Sequence, residues 1–137
     1  MALRDLFISL SENEALSAAA QNYGLKRGAQ HVVAGTNLQE AIESVRALNE
    51  HGIACTIDRL GEFVTDEAVA TKAKEEILAL IEAIHAEELN AHLSLKPTQL
   101  GLDIDIDFCY DNLREIVERA DEYGIFVNLD MEDSARL

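Results

Sequence analysis

An α/β chain built on a parallel sheet, with helices ahead of it, is the architecture expected from this sequence. Three observations carry that expectation. Short apolar runs recur at Ile53-Ala54-Cys55-Thr56-Ile57, at Leu93-Ser94-Leu95 and at Ile125-Phe126-Val127-Asn128-Leu129, and they end in Asp58, Lys96 and Asp130. Between them stand longer segments whose apolar residues fall at three- and four-residue steps, the period of a helix with one buried stripe. The resulting order of strand, helix, strand, helix, strand needs right-handed crossovers and therefore parallel strands.

Residues 3 to 33 read as one or two helices, with Leu3, Leu6, Phe7 and Leu10 on one face and Gly24 and Gly28 as interruptions. Gly35 breaks the pattern, and Thr36-Asn37-Leu38-Gln39 has the spacing of a capping box. The helix it opens carries Leu38, Ala41, Ile42, Val45 and Leu48 as one stripe, and His51-Gly52 ends it. The Ile53 to Ile57 run, mostly apolar with β-branched members, predicts a strand covered on both faces, as in parallel sheets. A helix over 66–88 places Val69, Ala73, Ile77, Leu80, Ile81 and Ile84 along one side. Another over 107–123 aligns Cys109, Leu113, Ile116, Val117 and Ala120, and Gly124 follows where a C-cap glycine is favoured. With no low-complexity linker, the chain reads as a helical arm over 1–52 and a strand-bearing part over 53–137.

Composition narrows the partners. A chain of 137 residues falls in the size range of one domain. Its 26 acidic and 11 basic side chains give a net charge of −15, with no basic cluster to offset it. Such a surface repels phosphate, which argues against nucleic acid and anionic membranes as partners. No apolar run approaches the ~20 residues of a membrane span. Leu6-Phe7-Ile8 is too short for a signal sequence and is soon followed by Glu12 and Glu14. Cys55 and Cys109, in separate segments without metal-type spacing, read as small core residues of a protein in a reducing compartment. The expectation is a soluble, cytoplasmic protein.

Few residues could carry chemistry. Asp58-Arg59-Leu60-Gly61-Glu62 has one glycine where a dinucleotide fingerprint needs three. There is no HExxH, no CxxC and no nucleophile elbow. The run Asp103-Ile104-Asp105-Ile106-Asp107 invites a calcium reading, but Phe108 stands where the loop needs glycine and Arg114 where it needs glutamate. It reads instead as a solvated turn with an N-cap for the next helix. The histidines at 31, 51, 85 and 92 share no ligand spacing and read as structural or surface residues. Lys96 and Asp130 remain, both at C-terminal strand ends, the edge at which open α/β sheets and (β/α)8 barrels bind ligands. A lysine closing an apolar strand must meet an anion if it is buried. That anion is either Asp130, in an ion pair that only closes the sheet edge, or a substrate carboxylate, and both readings stay open here.

Leu93-Ser94-Leu95-Lys96-Pro97-Thr98-Gln99-Leu100-Gly101-Leu102 and then Leu129-Asp130-Met131-Glu132-Asp133-Ser134 resemble the second and third strands of bacterial proline dehydrogenases. Thr56-Ile57-Asp58-Arg59-Leu60-Gly61-Glu62 is similar to their first-strand segment, and the helical leader to their N-terminal arm, so the resemblance covers essentially the whole chain. It implies a flavin enzyme that oxidises L-proline to 1-pyrroline-5-carboxylate by hydride transfer to FAD and passes electrons to a quinone or another acceptor. It implies that Lys96 binds the substrate carboxylate, that Asp130 is an active-site residue, and that the backbone of Met131 approaches the flavin. The fold it implies is the first three strands of a (β/α)8 barrel. A complete barrel takes ~250 residues, and the family's later strands carry its substrate-clamping arginines and most flavin contacts. One expectation is therefore an N-terminal fragment of the enzyme, inactive by itself and without tight FAD binding. The other is a non-enzymatic assembly unit whose open sheet edges pair with a complementary barrel fragment or a second copy of the chain.

Overall fold

The computed structural model describes residues 34–131, Ser134 and Arg136; the helices expected over 3 to 33, and Glu132 and Asp133, lie outside the described residues. The chain divides into two compact units, Met1–Ala41 and Ile42–Leu137. Most of the first described helix, α1 (Leu38–Asn49), falls in the second unit, where Ile42 and Val45 are buried. Asn37, not Thr36, caps α1: its Oδ1 accepts from the Glu40 N–H at 3.0 Å. A cap must reach the third residue of its helix, and a helix starting at Leu38 puts Asn37 opposite Glu40, one residue later than the Thr36–Gln39 spacing. The Glu40 carboxylate turns back to accept the Thr36 N–H at 2.8 Å and hydroxyl at 2.9 Å. The Thr36 backbone N–H foremost, and its hydroxyl, hold the Glu40 carboxyl below the usual range. This link tightens the helix start at neutral pH and is lost as acid protonates the carboxyl.

The remaining elements are β1 (Cys55–Asp58), α2 (Glu67–Ala86), β2 (Ala91–Leu95), a 3-10 turn (Pro97–Leu100), α3 (Ile106–Glu122) and β3 (Val127–Leu129). The strands lie in the order β1-β2-β3, all parallel, as the strand–helix alternation requires. Ile57, Leu93 and Val127 form one registered row, and Asp58, Ser94 and Asn128 the next. Because side chains alternate along a strand, each row faces one side of the sheet. Leu93 and Leu95 are buried on the helical side, in one core with Ile77, Ile81 and Ile84 of α2 and Ile116 and Ala120 of α3. The other side carries Thr56, Asp58, His92, Ser94 and Asn128, all polar.

That polar side overturns the expectation that the first strand is covered on both faces. Ile53, the residue that made the run look continuously apolar, lies before β1 and is half exposed. Within β1 only Cys55 is buried, Ile57 is half-buried, and Thr56 and Asp58 are exposed. The strand therefore alternates, with one apolar face under helices.

Asp66 caps α2 by accepting from the Ala68 and Val69 N–H groups at 2.9 and 3.1 Å. Asp66→Ala is expected to lower the unfolding free energy by about 1 kcal/mol, measured by urea denaturation; an unchanged midpoint would show the cap to be dispensable. Ala73, Ile77, Leu80, Ile81 and Ile84 form the buried stripe as expected, whereas Val69, in the first turn, is exposed. On α3, Cys109, Ile116 and Ala120 are buried, while Val117, turned about 100° from Ile116, is exposed. Asp105 caps α3, its carboxylate accepting from Phe108 N–H at 2.9 Å, as the turn-and-cap reading of the acidic run expects. Gly124, at φ +66°, ends it in the left-handed conformation favoured in glycine. No described helix is long and apolar enough to cross a membrane.

Candidate functional site

All three strands deliver their C-terminal ends to one edge, and the chain places charged side chains there. Lys96 follows β2 and stays extended (φ −107°, ψ 119°), the conformation that a following proline favours. Alternation then keeps its side chain on the polar side with His92 and Ser94. Asp130 follows β3, and its N–H donates to the Leu95 carbonyl at 2.8 Å, extending the ladder by one step and bringing the aspartate alongside the lysine.

Lys96 Nζ lies 3.4 Å from Asp130 Oδ2 and 4.0 Å from Glu62 Oε2. The lysine side chain is only 18% exposed, against 52% for Asp130 and 54% for Glu62. A mostly covered ammonium is thus held between two carboxylates that still face water. Both separations exceed the 2.7–2.9 Å typical of a charge-assisted hydrogen bond, so these two carboxylates act on the ammonium mainly through charge. Met131, next along the chain, is 44% exposed at the same edge. The structure therefore brings Lys96 and Asp130 together, sets Met131 beside them, and adds Glu62 from the segment after β1.

The other groups flagged in the sequence stand apart from this edge. His92 Nε2 meets Thr56 Oγ1 at 2.7 Å, and its ring packs edge-on against Phe126. His51 Nδ1 bonds the Ala47 carbonyl, and His85 stacks on Tyr123 at 3.9 Å. His31 lies outside the described residues. Cys55 and Cys109 are buried free thiols. Cys109 donates to the Pro97 carbonyl, and burial pushes its thiol up to about 11. It stays protonated at neutral pH and is no nucleophile.

Two buried amides were not picked out in the sequence. Gln99, 1% exposed, donates through Nε2 to the Arg59 carbonyl at 2.6 Å and the Gly61 carbonyl at 3.0 Å. Asn112, 4% exposed, donates to the Leu100 carbonyl at 3.0 Å and ties α3 to the same 3-10 turn. The only hint was the polar pair Thr98-Gln99 set between Pro97 and Leu100, and polarity there reads as surface until the packing is known.

A family model described as proline dehydrogenase matches residues 41–137. The chain belongs to the proline dehydrogenase family. It is 41% identical over 136 residues to Proline dehydrogenase 2 of Bacillus subtilis (strain 168), covering 99% of this chain and 45% of that protein. Against Proline dehydrogenase 1 of the same strain the identity is 40% over 131 residues, covering 96% and 43%. Against the proline dehydrogenase of Deinococcus radiodurans it is 39% over 112 residues, covering 80% and 36%. The chain thus spans less than half the length of these curated relatives. Among solved structures, proline utilization A from Bdellovibrio bacteriovorus, inactivated by N-propargylglycine, superposes with a TM-score of 0.72 at 23% identity. That match covers 88% of this chain and 15% of the other. At such identity it speaks to fold alone, and the fold is the expected one: parallel strands and helices of a (β/α)8-type proline dehydrogenase barrel.

Proposed function

We propose that this chain supplies the carboxylate-binding side of a site that oxidises L-proline to 1-pyrroline-5-carboxylate with FAD. The observation that carries this reading is the Lys96 ammonium, mostly covered and set beside Asp130 and Glu62 at the C-terminal strand edge. Proline presents one carboxylate, and Lys96 is the cation placed to receive it. Asp130, held by its backbone bond to Leu95, keeps the lysine aimed and offers a carboxylate to the substrate amine, which must lose a proton before its hydride can leave.

The residues present fit the ring end of a flavin. An ammonium favours the reduced, anionic ring, and Met131 sets an exposed apolar side chain at the same edge. FAD, when bound, supplies the hydride acceptor, and a quinone or another acceptor takes the electrons onward. The three described strands form one side of such a site, whereas a closed barrel has eight. We therefore expect the 137 residues alone to bind FAD weakly and not to turn over proline. The test is to incubate the purified chain with FAD, remove free flavin, and assay dye-linked proline oxidation, first alone and then completed with the remaining barrel of a relative. A colourless, inactive chain that yields proline oxidation when completed is the expected result. A yellow chain active by itself would remove the division of labour, and a completed, flavin-loaded barrel that ignores proline would remove the substrate.

A second reading is an assembly unit that pairs with a complementary barrel fragment or a second copy. Phe126 just before β3, Leu129 in it, and Ile106, Tyr110 and Val117 on α3 are exposed large side chains, and β3 is an edge strand of the sheet among the described residues. A clean monomer by light scattering at high concentration would remove this alternative.

A further inference from the structure

The segment between β1 and α2 carries Glu62, and its path is not set by apolar burial: Leu60 and Phe63 are both exposed. It is also strained at Phe63, which holds φ +53°, while Gly61 takes a φ of +148° that a glycine adopts without strain. A non-glycine residue in the left-handed region persists only where its surroundings over-determine it. Two anchors do so here. On the sheet side, the Gln99 amide bonds the Arg59 and Gly61 carbonyls, and the Val64 N–H donates to the Thr98 carbonyl at 2.9 Å. On the outer side, the Arg136 guanidinium lies 4.8 Å over the Phe63 ring while bonding both Asp103 carboxylate oxygens at 2.7 and 3.0 Å.

The Gln99 anchor is the one linked to chemistry. Gln99 sits in the 3-10 turn that begins after Lys96, and its own N–H donates to the Lys96 carbonyl at 3.0 Å. Lysine and amide are thus one short, rigid piece of chain, and what the amide grips is placed relative to the ammonium. Burying a primary amide costs free energy unless its donors are used, and here both serve the segment that ends at Glu62. Gly61 is part of the same device: a Cβ there would stand 2.8 Å from Gln99 Nε2. The φ of +148° at this position is itself one that side-chain-bearing residues rarely adopt.

We propose that Gln99 is a positioning residue of this site: by gripping the Arg59 and Gly61 carbonyls it sets Glu62 against the Lys96 ammonium. The lysine is then held extended beside two carboxylates, Asp130 and Glu62. The placement of Glu62 does not depend on the reading of Lys96 as the substrate's cation.

The test uses nuclear Overhauser contacts and amide exchange in the 137-residue chain. The parent should show a contact between the Lys96 ε-methylene and the Glu62 γ-methylene, and a protected Val64 amide. Gln99→Glu keeps the size but cannot donate to two carbonyls; it should abolish the Lys96–Glu62 contact and speed Val64 exchange about tenfold. The Lys96–Asp130 contact, held by a separate backbone bond, should survive, and a general loosening of the fold would not spare it. If Gln99→Glu fails to fold by circular dichroism, Gln99→Met decides, because it keeps the length of the side chain and removes both donors without adding a charge. Retention of the Lys96–Glu62 contact in a folded variant overturns the proposal. Neither readout involves proline, so this placement and the proposed activity fail separately.

Discussion

Lys96→Met is expected to lower kcat/KM for proline oxidation about 100-fold in the completed barrel, with most of the loss in KM. Methionine matches the length and apolar stem of lysine but removes the charge, so the substrate carboxylate loses its cation while the strand end keeps its packing. Asp130 and Glu62 are each about half exposed, so both carboxylates can return to water and the fold should survive. Lys96→Arg should recover only part of the loss, because a planar guanidinium does not reproduce a point charge on a flexible stem. Steady-state kinetics with varied proline checks this. A variant whose KM stays within about twofold of the parent would reduce Lys96 to an ion pair closing the sheet edge, the alternative left open by the sequence.

The largest effect on stability is expected from Ile81→Ala. Ile81 is 0% exposed and belongs to the core that joins α2, the sheet and α3. Truncating such a residue removes its transfer free energy and leaves a cavity, at a cost of about 3 kcal/mol. Small domains are stable by only about 5–15 kcal/mol, so a large part of the margin would go. Val69→Ala on the same helix is the control: half exposed, it should change stability by less than about 0.5 kcal/mol. Denaturant unfolding of both variants checks the pair, and a loss below about 1 kcal/mol at Ile81 would mean that the core can collapse into the space.

The two long helices were legible because their signal is local and repeated. Ile77, Leu80, Ile81 and Ile84 recur at helical steps, and any helix through them buries one stripe. A cap within the acidic run 103–107 was legible for the same reason, since a cap and its target are neighbours in sequence; that it is Asp105 followed from the helix starting at Ile106. The start of α1 was harder, because Thr36 and Asn37 are both good caps and the choice turned on a one-residue difference in where the helix begins. β1 misled because Ile53, apolar but outside the strand, hid the alternation of Cys55, Thr56, Ile57 and Asp58.

At the site, residue chemistry alone marked Lys96 and Asp130: a lysine and an aspartate ending apolar strands must do something with their charge. Local pattern, charge and strand order are properties of neighbours along the chain, and the sequence by itself determined them. That Lys96 and Asp130, 34 residues apart, lie 3.4 Å apart depended on the parallel register of β2 with β3. That Glu62 joins them, and that Gln99 is buried to hold it there, depended on the course of a strained segment with no periodic signal. Only the tertiary structure decided those placements, because contacts between distant residues follow from register and packing, which no short window of sequence contains.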